Sequence, residues 1–444
     1  MSSGSKSIGA TAAITLVNGA RFPRSKNVHA EKVLLQKLGK HHHTASKHFD
    51  NYLYSLKGGK NAIKQAGHEL VHSFSVKLAC AIEQNKRLPC VRRISLVELA
   101  DTADALHLEA PCDEIVGLHA EPKSNKPGEF RPICNFGPAH STAQTTARWM
   151  MEKSLNLRSW QYDFKGTPAA ILAIKKAILS GKPYVAHIDF ERFFGSFDHS
   201  ALRGSLPVPV RMADNYLVGR SLKFAPWGPL VVPIGVLLSE ARKGVMHGSS
   251  SSPIIGADTV SKLEWQPTQN VKAAGYVDDM LIVGASELDV TLNAKAVIAA
   301  SAALPTGSFT IAIKHIGHAS DGFDFLGVHT KLVGGTVSIT PAAGQIERFS
   351  GKFEKLCETA EAAVAVALQS HKLPDRSAAL QAIAETWSYG RSWYSSFSMC
   401  HNRLELFDMV WSPTMSLLSP LGLSSIESLN HYLPGAKKCG GDLS

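Results

Sequence analysis

The seven cysteines of this 444-residue chain (Cys80, Cys90, Cys112, Cys134, Cys357, Cys400 and Cys439) are widely scattered. No two are spaced Cys-x-x-Cys and none stands near histidine at zinc-ligand spacing, which excludes a cysteine zinc module. An odd number in a long chain does not suit a disulfide framework, so they read as reduced, mostly structural thiols of a cytoplasmic protein. No apolar run approaches the roughly 20 residues of a membrane-spanning helix. Residues 1–20 lack the basic segment and apolar core of a signal peptide. No Gly-Lys-Ser/Thr occurs, so a Walker loop is excluded. No internal repeat is visible. Negative charge is in short supply: 47 Lys and Arg face 37 Asp and Glu, a net +10. That excess favours an anionic partner, of which nucleic acid is the commonest. The length and a hydrophobic fraction of 44% allow a large core and two or three domains.

Residues 1–25 are expected to be weakly structured, and 28–110 mostly helical with basic polar faces. His41-His42-His43 reads as a solvated basic loop rather than a metal site. Residues 114–135 read as two strands joined by a Pro/Gly loop, with Lys123, Lys126 and Arg131 on or beside it. A basic hairpin of this kind can grip a triphosphate, because Arg binds phosphate bidentately. Residues 144–155 and 168–179 read as helices, and 183–190 as a strand ending in Asp189. Residues 243–253 form a Gly/Ser loop leading into a helix near Ile254. Its glycines permit close backbone approach to a ligand, and hydroxyls and free amides at a helix start can bind sugar or phosphate. Residues 309–314 suggest a strand and 322–329 a short apolar element. Thr340-Pro341 reads as an N-cap and the first residue of a helix. Ile346, Phe349, Phe353, Leu356 and Ala360 carry that helix to about Ser370, and a second runs from about Asp375 to near Gly390.

The most informative segment is Tyr276-Val277-Asp278-Asp279, set between the short apolar runs 273–275 and 280–284. Each run suits a strand, which places the two acids at the tip of a buried hairpin. Burying uncompensated charge costs several kcal/mol, so the pair calls for a cation, and oxygen ligands suit Mg²⁺. Phosphoryl transfer to a 3′-hydroxyl uses two metals about 3.5–4 Å apart. The minimum protein set is two carboxylates on separate strands meeting at one sheet edge. Asp189 and Asp278 supply it, with Asp279 as an auxiliary.

In their order, these segments resemble a prokaryotic reverse transcriptase of the group II intron and retron kind, most like the stand-alone defence-associated or abortive-infection enzymes. Lys123 and Arg131-Pro132-Ile133 resemble the fingers hairpin that contacts the triphosphate. Asp189-Phe190, Phe193-Phe194 and Asp198-His199 resemble the first palm motif. Gly244, Gly248, Ser249, Ser252 and Pro253 match the family's Gly-x-x-x-Gly-Ser-x-x-Ser-Pro loop, and residues 276–279 its Tyr-x-Asp-Asp. Lys314 with Phe325-Leu326-Gly327 resembles the next two palm elements. Gly390, Trp393, Tyr394 and Phe397 resemble a thumb pattern. The match spans roughly residues 115–400.

The resemblance implies an α+β right-hand polymerase. Its parts are a helical N-terminal extension (1–110), fingers and palm built on an antiparallel sheet (111–335), a helical thumb (336–420) and a C-terminal tail (421–444). Residues 401–444 are expected to be too few for an endonuclease or zinc module. It further implies Asp189, Asp278 and Asp279 as catalytic acids binding two Mg²⁺ ions, with the Phe190 carbonyl as a further ligand and Mn²⁺ as a substitute. Lys123, Arg131, Phe194, Gly248, Ser249, Tyr276 and Lys314 would handle the nucleotide. Phe194 would be the steric gate that favours dNTPs, and Lys314 an acid near the pyrophosphate. The implied activity is RNA-directed DNA synthesis from dNTPs with a non-coding RNA, in anti-phage defence and away from membranes. The implied protein partners are a second copy or another subunit. The alternatives are template-independent or protein-primed synthesis at the same site, and an inactive nucleic-acid-binding scaffold. The chain departs from the family at His247, where Gln is usual, at Ser250, where Pro is common, and at Val277, where Ala is common.

Overall fold

A computed structural model of the chain describes residues 25, 27–88, 92–123, 128–229, 231–370 and 372–428. Cys90, Lys126, Cys439, the segment 1–24 and the tail beyond 428 lie outside the described residues. The chain runs through helices α1 (Val28–Ser55), α2 (Lys60–His72), α3 (Phe74–Arg87) and α4 (Leu96–Ala105), then strands β1 (Val116–Pro122) and β2 (Phe130–Asn135). Next come α5 (Pro138–Ser154), α6 (Gly166–Leu179), β3 (Tyr184–Glu191), α7 (His199–Ser205), α8 (Val210–Tyr216), β4 (Phe224–Pro226), α9 (Ile234–Ala241) and α10 (Ser252–Ser261). The hairpin β5 (Val271–Tyr276) and β6 (Asp279–Gly284) follows, then α11 (Glu287–Ser301) and β7 (Thr310–His318). Strands β8 (Phe323–Phe325), β9 (Val328–Val333) and β10 (Thr336–Pro341) precede α12 (Ala343–Ser370), α13 (Leu373–Ser396) and α14 (Arg403–Leu418). Among the described residues, no helix is long and apolar enough to cross a membrane.

Two compact units are formed, and neither is a single stretch of chain. The first takes Met1–Gln161, Phe190–Trp265 and Ala296–Ala312. The second takes Tyr162–Asp189, Gln266–Lys295 and Ile313–Ser444.

In the first unit, α1, α3 and α4 share a core of Leu38, Leu78, Ile82, Leu96 and Leu99. Ser95 and Glu98 form a capping box that starts α4. The three histidines at 41–43 are not a loop but part of α1. Leu38, Ala45, Phe49 and Tyr52 are buried at helical spacing on either side of them, and this carries the helix through. His41 Nδ1 lies 3.0 Å from the Ser75 hydroxyl, and burial lowers the pKa of both His41 and His42. Further on, β1 pairs antiparallel with β2 and parallel with β4, over Val116, Leu118, Cys134, Leu222 and Leu237.

In the second unit a sheet of order β5-β6-β3-β7 carries β6 antiparallel to both neighbours. Helix α6 covers it through Ile171, Ile174 and Ile178, against Val185, Leu281 and Val283. A second sheet has the order β10-β9-β8. Thr340-Pro341 ends β10 rather than opening the next helix. Val337, Ile339 and Pro341 are buried alternately, the period of a strand, and an edge strand tolerates proline. Helices α12, α13 and α14 pack around Phe349, Phe353, Ile383, Trp387 and Val410. Helix α13 also passes Gly390 and runs on to Ser396. A Cβ at Gly390 would lie 2.4 Å from Val410 Cγ1 and 2.9 Å from Phe353 Cε2. Close helix approach, not termination, therefore accounts for this glycine.

Candidate active site

The Tyr276–Asp279 segment is a hairpin whose last strand pair is Tyr276 with Asp279. Only Val277 and Asp278 make the turn, so Asp278 is at the tip while Asp279 belongs to strand β6. Val277 has φ +55°, a left-handed conformation that a β-branched residue adopts only under strain. Two contacts hold it there. The Val277 N–H donates to Asp163 Oδ1 at 2.8 Å, and the Tyr162 N–H donates to the Gly275 carbonyl at 2.8 Å. Burial pushes the Asp163 carboxyl up, and the Val277 N–H draws it back.

The acids then converge from two strands. Asp189 on β3 is the cross-strand partner of Asp279 on β6. Opposed like charges destabilise a sheet unless they are compensated, and each of these has a basic neighbour. Lys314 Nζ, on β7, is 3.0 Å from Asp189 Oδ2. His187 Nε2 bonds Asp279 Oδ1 at 2.5 Å. His187 stands two residues before Asp189, on the same face of β3. Among the described residues, Asp278 has no such partner. Burial, first of all, and then the Asp189 charge push its carboxyl up to about 6, with Asp279 adding to the rise and Lys314 opposing it. Three carboxylates thus share one sheet end with one ammonium and one imidazole. The donors are hard oxygens with a surplus of negative charge, which suits Mg²⁺. His187 engages Asp279 and Lys314 engages Asp189, and Asp189 and Asp278, with Asp279 beside them, are the acids that could hold a metal. Tyr276 is half-buried beside them, and its phenol is raised by burial and by the Asp163 charge.

The other predicted residues gather in the first unit around the Gly/Ser loop. The Cys134 N–H donates to the His247 carbonyl at 3.0 Å, which fixes the loop to β2, the strand of Arg131. The Val245 N–H donates to the Phe194 carbonyl at 2.8 Å. Gly248 has φ +93°, and a Cβ there would lie 2.4 Å from the Cys134 carbonyl oxygen. The glycine is therefore required by the protein's own backbone. The Ser249 hydroxyl is buried and shares a 2.8 Å bond with that of Ser251. His247 packs edge-on against the Phe194 ring, centroids 5.2 Å apart. Its pKa falls to about 4 through burial and the charges of Arg131 and Lys123, so it is neutral at pH 7. Lys123 pairs with Glu129 at 2.7 Å, where the two strands give way to their connecting loop. Asp198 caps α7 through the Ala201 N–H, and His199 Nε2 lies 2.7 Å from the Gly244 carbonyl. Phe190, next to Asp189, buries its ring against Phe193 and Phe309.

Asp189, Asp278, Asp279, Tyr276 and Lys314 thus fall together in the second unit. Lys123, Arg131, Phe194, Gly248 and Ser249 fall in the first. Sequence reasoning missed two residues, His187 and Asp163. The alternation of a strand would have put His187 on the face of Asp189. Asp163 lies 114 residues from its partner, and no local pattern points to it.

No protein-family model matches the sequence, and no curated protein does. Among solved structures, the chain is similar to telomerase from Candida albicans in complex with a fragment of telomeric RNA. The identity is 11% and the TM-score 0.33, over 96% of this chain and 92% of that one. Apo telomerase from Candida tropicalis is 12% identical over 96% and 95%, at a TM-score of 0.32. The RNA-dependent RNA polymerase of bacteriophage phi12 is 11% identical over 81% and 63%, at 0.31. Likenesses this slight transfer no activity, and function rests on the side chains.

Proposed function

We propose that the protein is a Mg²⁺-dependent nucleotidyltransferase that adds dNTPs to a 3′-hydroxyl. In this reading it is a reverse transcriptase working with an associated RNA in anti-phage defence. The observation that carries the reading is Asp278, half-buried at a strained hairpin tip beside Asp189, with no basic residue bonded to it among the described residues. Asp189 and Asp278 would hold Mg²⁺, or Mn²⁺ in its place, with the Phe190 carbonyl as a further ligand. The bound metals would activate the attacking hydroxyl and neutralise triphosphate charge. Asp279, bonded to His187, sets the register of β6 against β3 and adds negative charge. Lys314, 3.0 Å from Asp189 Oδ2, would supply a proton near the pyrophosphate. By the family resemblance, Arg131 and Lys123 would supply positive charge for phosphates, and the Phe194 ring would disfavour a ribose 2′-hydroxyl. An inactive scaffold would have no use for clustered, half-buried acids that repel one another.

A second reading keeps the site and drops the template: DNA synthesis that is untemplated or primed on protein. The departure at His247 favours it: where the family's Gln helps hold the template or incoming base, this chain sets an imidazole edge-on against Phe194.

Purified protein given labelled dNTPs and Mg²⁺ should extend a primer or label itself. Asp278→Ala should lower the rate at least 10³-fold. A variant that keeps full synthesis would remove the assignment. Sequencing the product separates the two readings: a complement of copurified RNA supports the first, and a sequence matching no nucleic acid present supports the second.

A further inference from the structure

Away from the acidic sheet end, a second group of ligating side chains converges in the N-terminal helical region. His68 and His72 stand one turn apart on α2, so both rings project from one face, with centroids 4.0 Å apart. Glu109 approaches them from the segment after α4. Its Oε2 lies 3.7 Å from His68 Nδ1 and 3.8 Å from His72 Nε2. The three ligand atoms are all within 4.8 Å of one another. We propose that His68, His72 and Glu109 bind a borderline divalent transition ion, Zn²⁺ in the first place, that ties α2 to the segment following α4.

The chemistry of His72 carries this furthest. Its Nδ1 lies 2.9 Å from the His68 carbonyl oxygen. A carbonyl only accepts, so Nδ1 bears the hydrogen, and in the neutral ring Nε2 bears the lone pair. That lone pair faces the Glu109 carboxylate, an arrangement that a proton on Nε2 or a metal ion between the two relieves, and a metal ion also engages His68. The same bond to a backbone carbonyl is what orients a metal-ligating imidazole and fixes its tautomer. Zinc bonds of about 2.0–2.2 Å in a tetrahedron separate ligand atoms by roughly 3.3 Å. The imidazole–carboxylate separations seen here need to close by only about half an ångström. Imidazole nitrogen selects zinc, copper or nickel over magnesium, so this site and the acidic one take different ions. Three protein ligands leave a fourth position for water, and the exposed rings leave it open to solvent.

The full-length protein should be titrated with ZnCl₂ in excess Mg²⁺ by calorimetry, and its zinc counted after desalting. The expected result is one tight equivalent, weakened at least 10-fold by His72→Ala and by Glu109→Gln. A variant with His41, His42 and His43 all changed to Ala should keep it. Co²⁺ in place of Zn²⁺ should give a visible tetrahedral absorption that His68→Ala abolishes. Zinc should raise the melting temperature of the parent and not that of His72→Ala, whose metal-free melt and circular dichroism serve as the folding control. Zinc affinity unchanged in His72→Ala, or lost only with residues 41–43, would overturn the proposal.

Discussion

At the scale of single residues, Asp278 carries the sharpest consequence. Its folded-state pKa of about 6 lies above the ordinary carboxyl value of 3.8, so the native state binds this proton more tightly than the unfolded chain. Stability from this group is therefore fully present below about pH 4 and declines as pH rises through 6. Asp278→Asn should leave metal-free stability nearly unchanged at or below pH 4 and raise it by about 3 kcal/mol above pH 7. Urea unfolding at the two pH values measures this, and equal shifts at both would refute it. Mg²⁺ binding should follow the opposite course, weakening as pH falls below 6. The acid itself was legible in the sequence because a hairpin is local: two apolar runs and four residues between them. Its companions were less so. Lys314 was read as a nucleotide contact, and its Nζ lies 3.0 Å from Asp189 Oδ2, a pairing that no local pattern announces.

At the scale of elements, the hairpin is held in a conformation its own sequence disfavours. Val277 in the left-handed region costs of order 1–3 kcal/mol, and the Asp163 carboxylate is what fixes the turn. Asp163→Ala should destabilise the protein by about 2 kcal/mol, the worth of a buried bond to a charged acceptor. Val277→Gly accepts φ +55° without strain and should be neutral or mildly stabilising. In the Val277→Gly background the loss on Asp163→Ala should shrink. A thermal-unfolding double-mutant cycle reads the coupling, and strict additivity would mean that Asp163 does not restrain the turn. Elements of regular period were legible, including β3 and β6, the strands that carry Asp189 and Asp279, and the long helix from 343. Where the reading failed, a long-range contact had overruled a local signal. Gly390 stopped no helix because Val410 and Phe353 crowd its face. Thr340-Pro341 capped none because β10 pairs with β9 up to that proline. His41–His43 opened no loop because the buried stripe of α1 runs past them.

At the scale of the whole molecule, the net charge of +10 makes binding to any nucleic acid depend on released counterions. With six or more phosphates contacted, affinity for a single-stranded RNA should fall about 10³-fold or more between 50 and 200 mM salt. A flat response in a filter-binding series would show that the basic excess is not a binding surface. The division into units was not legible in the sequence, because it follows contacts between distant segments rather than any change of composition. It bears on how the protein is made. His187 and Asp279, which share a hydrogen bond, are 92 residues apart, and most of the chain between them belongs to the other unit. A ribosome must therefore deliver that entire insertion before β6 can pair with β3. Until residue 284 has emerged, Asp189 has no opposing acid, and a nascent or truncated product ending in the insertion carries half a metal site and no hairpin to complete it.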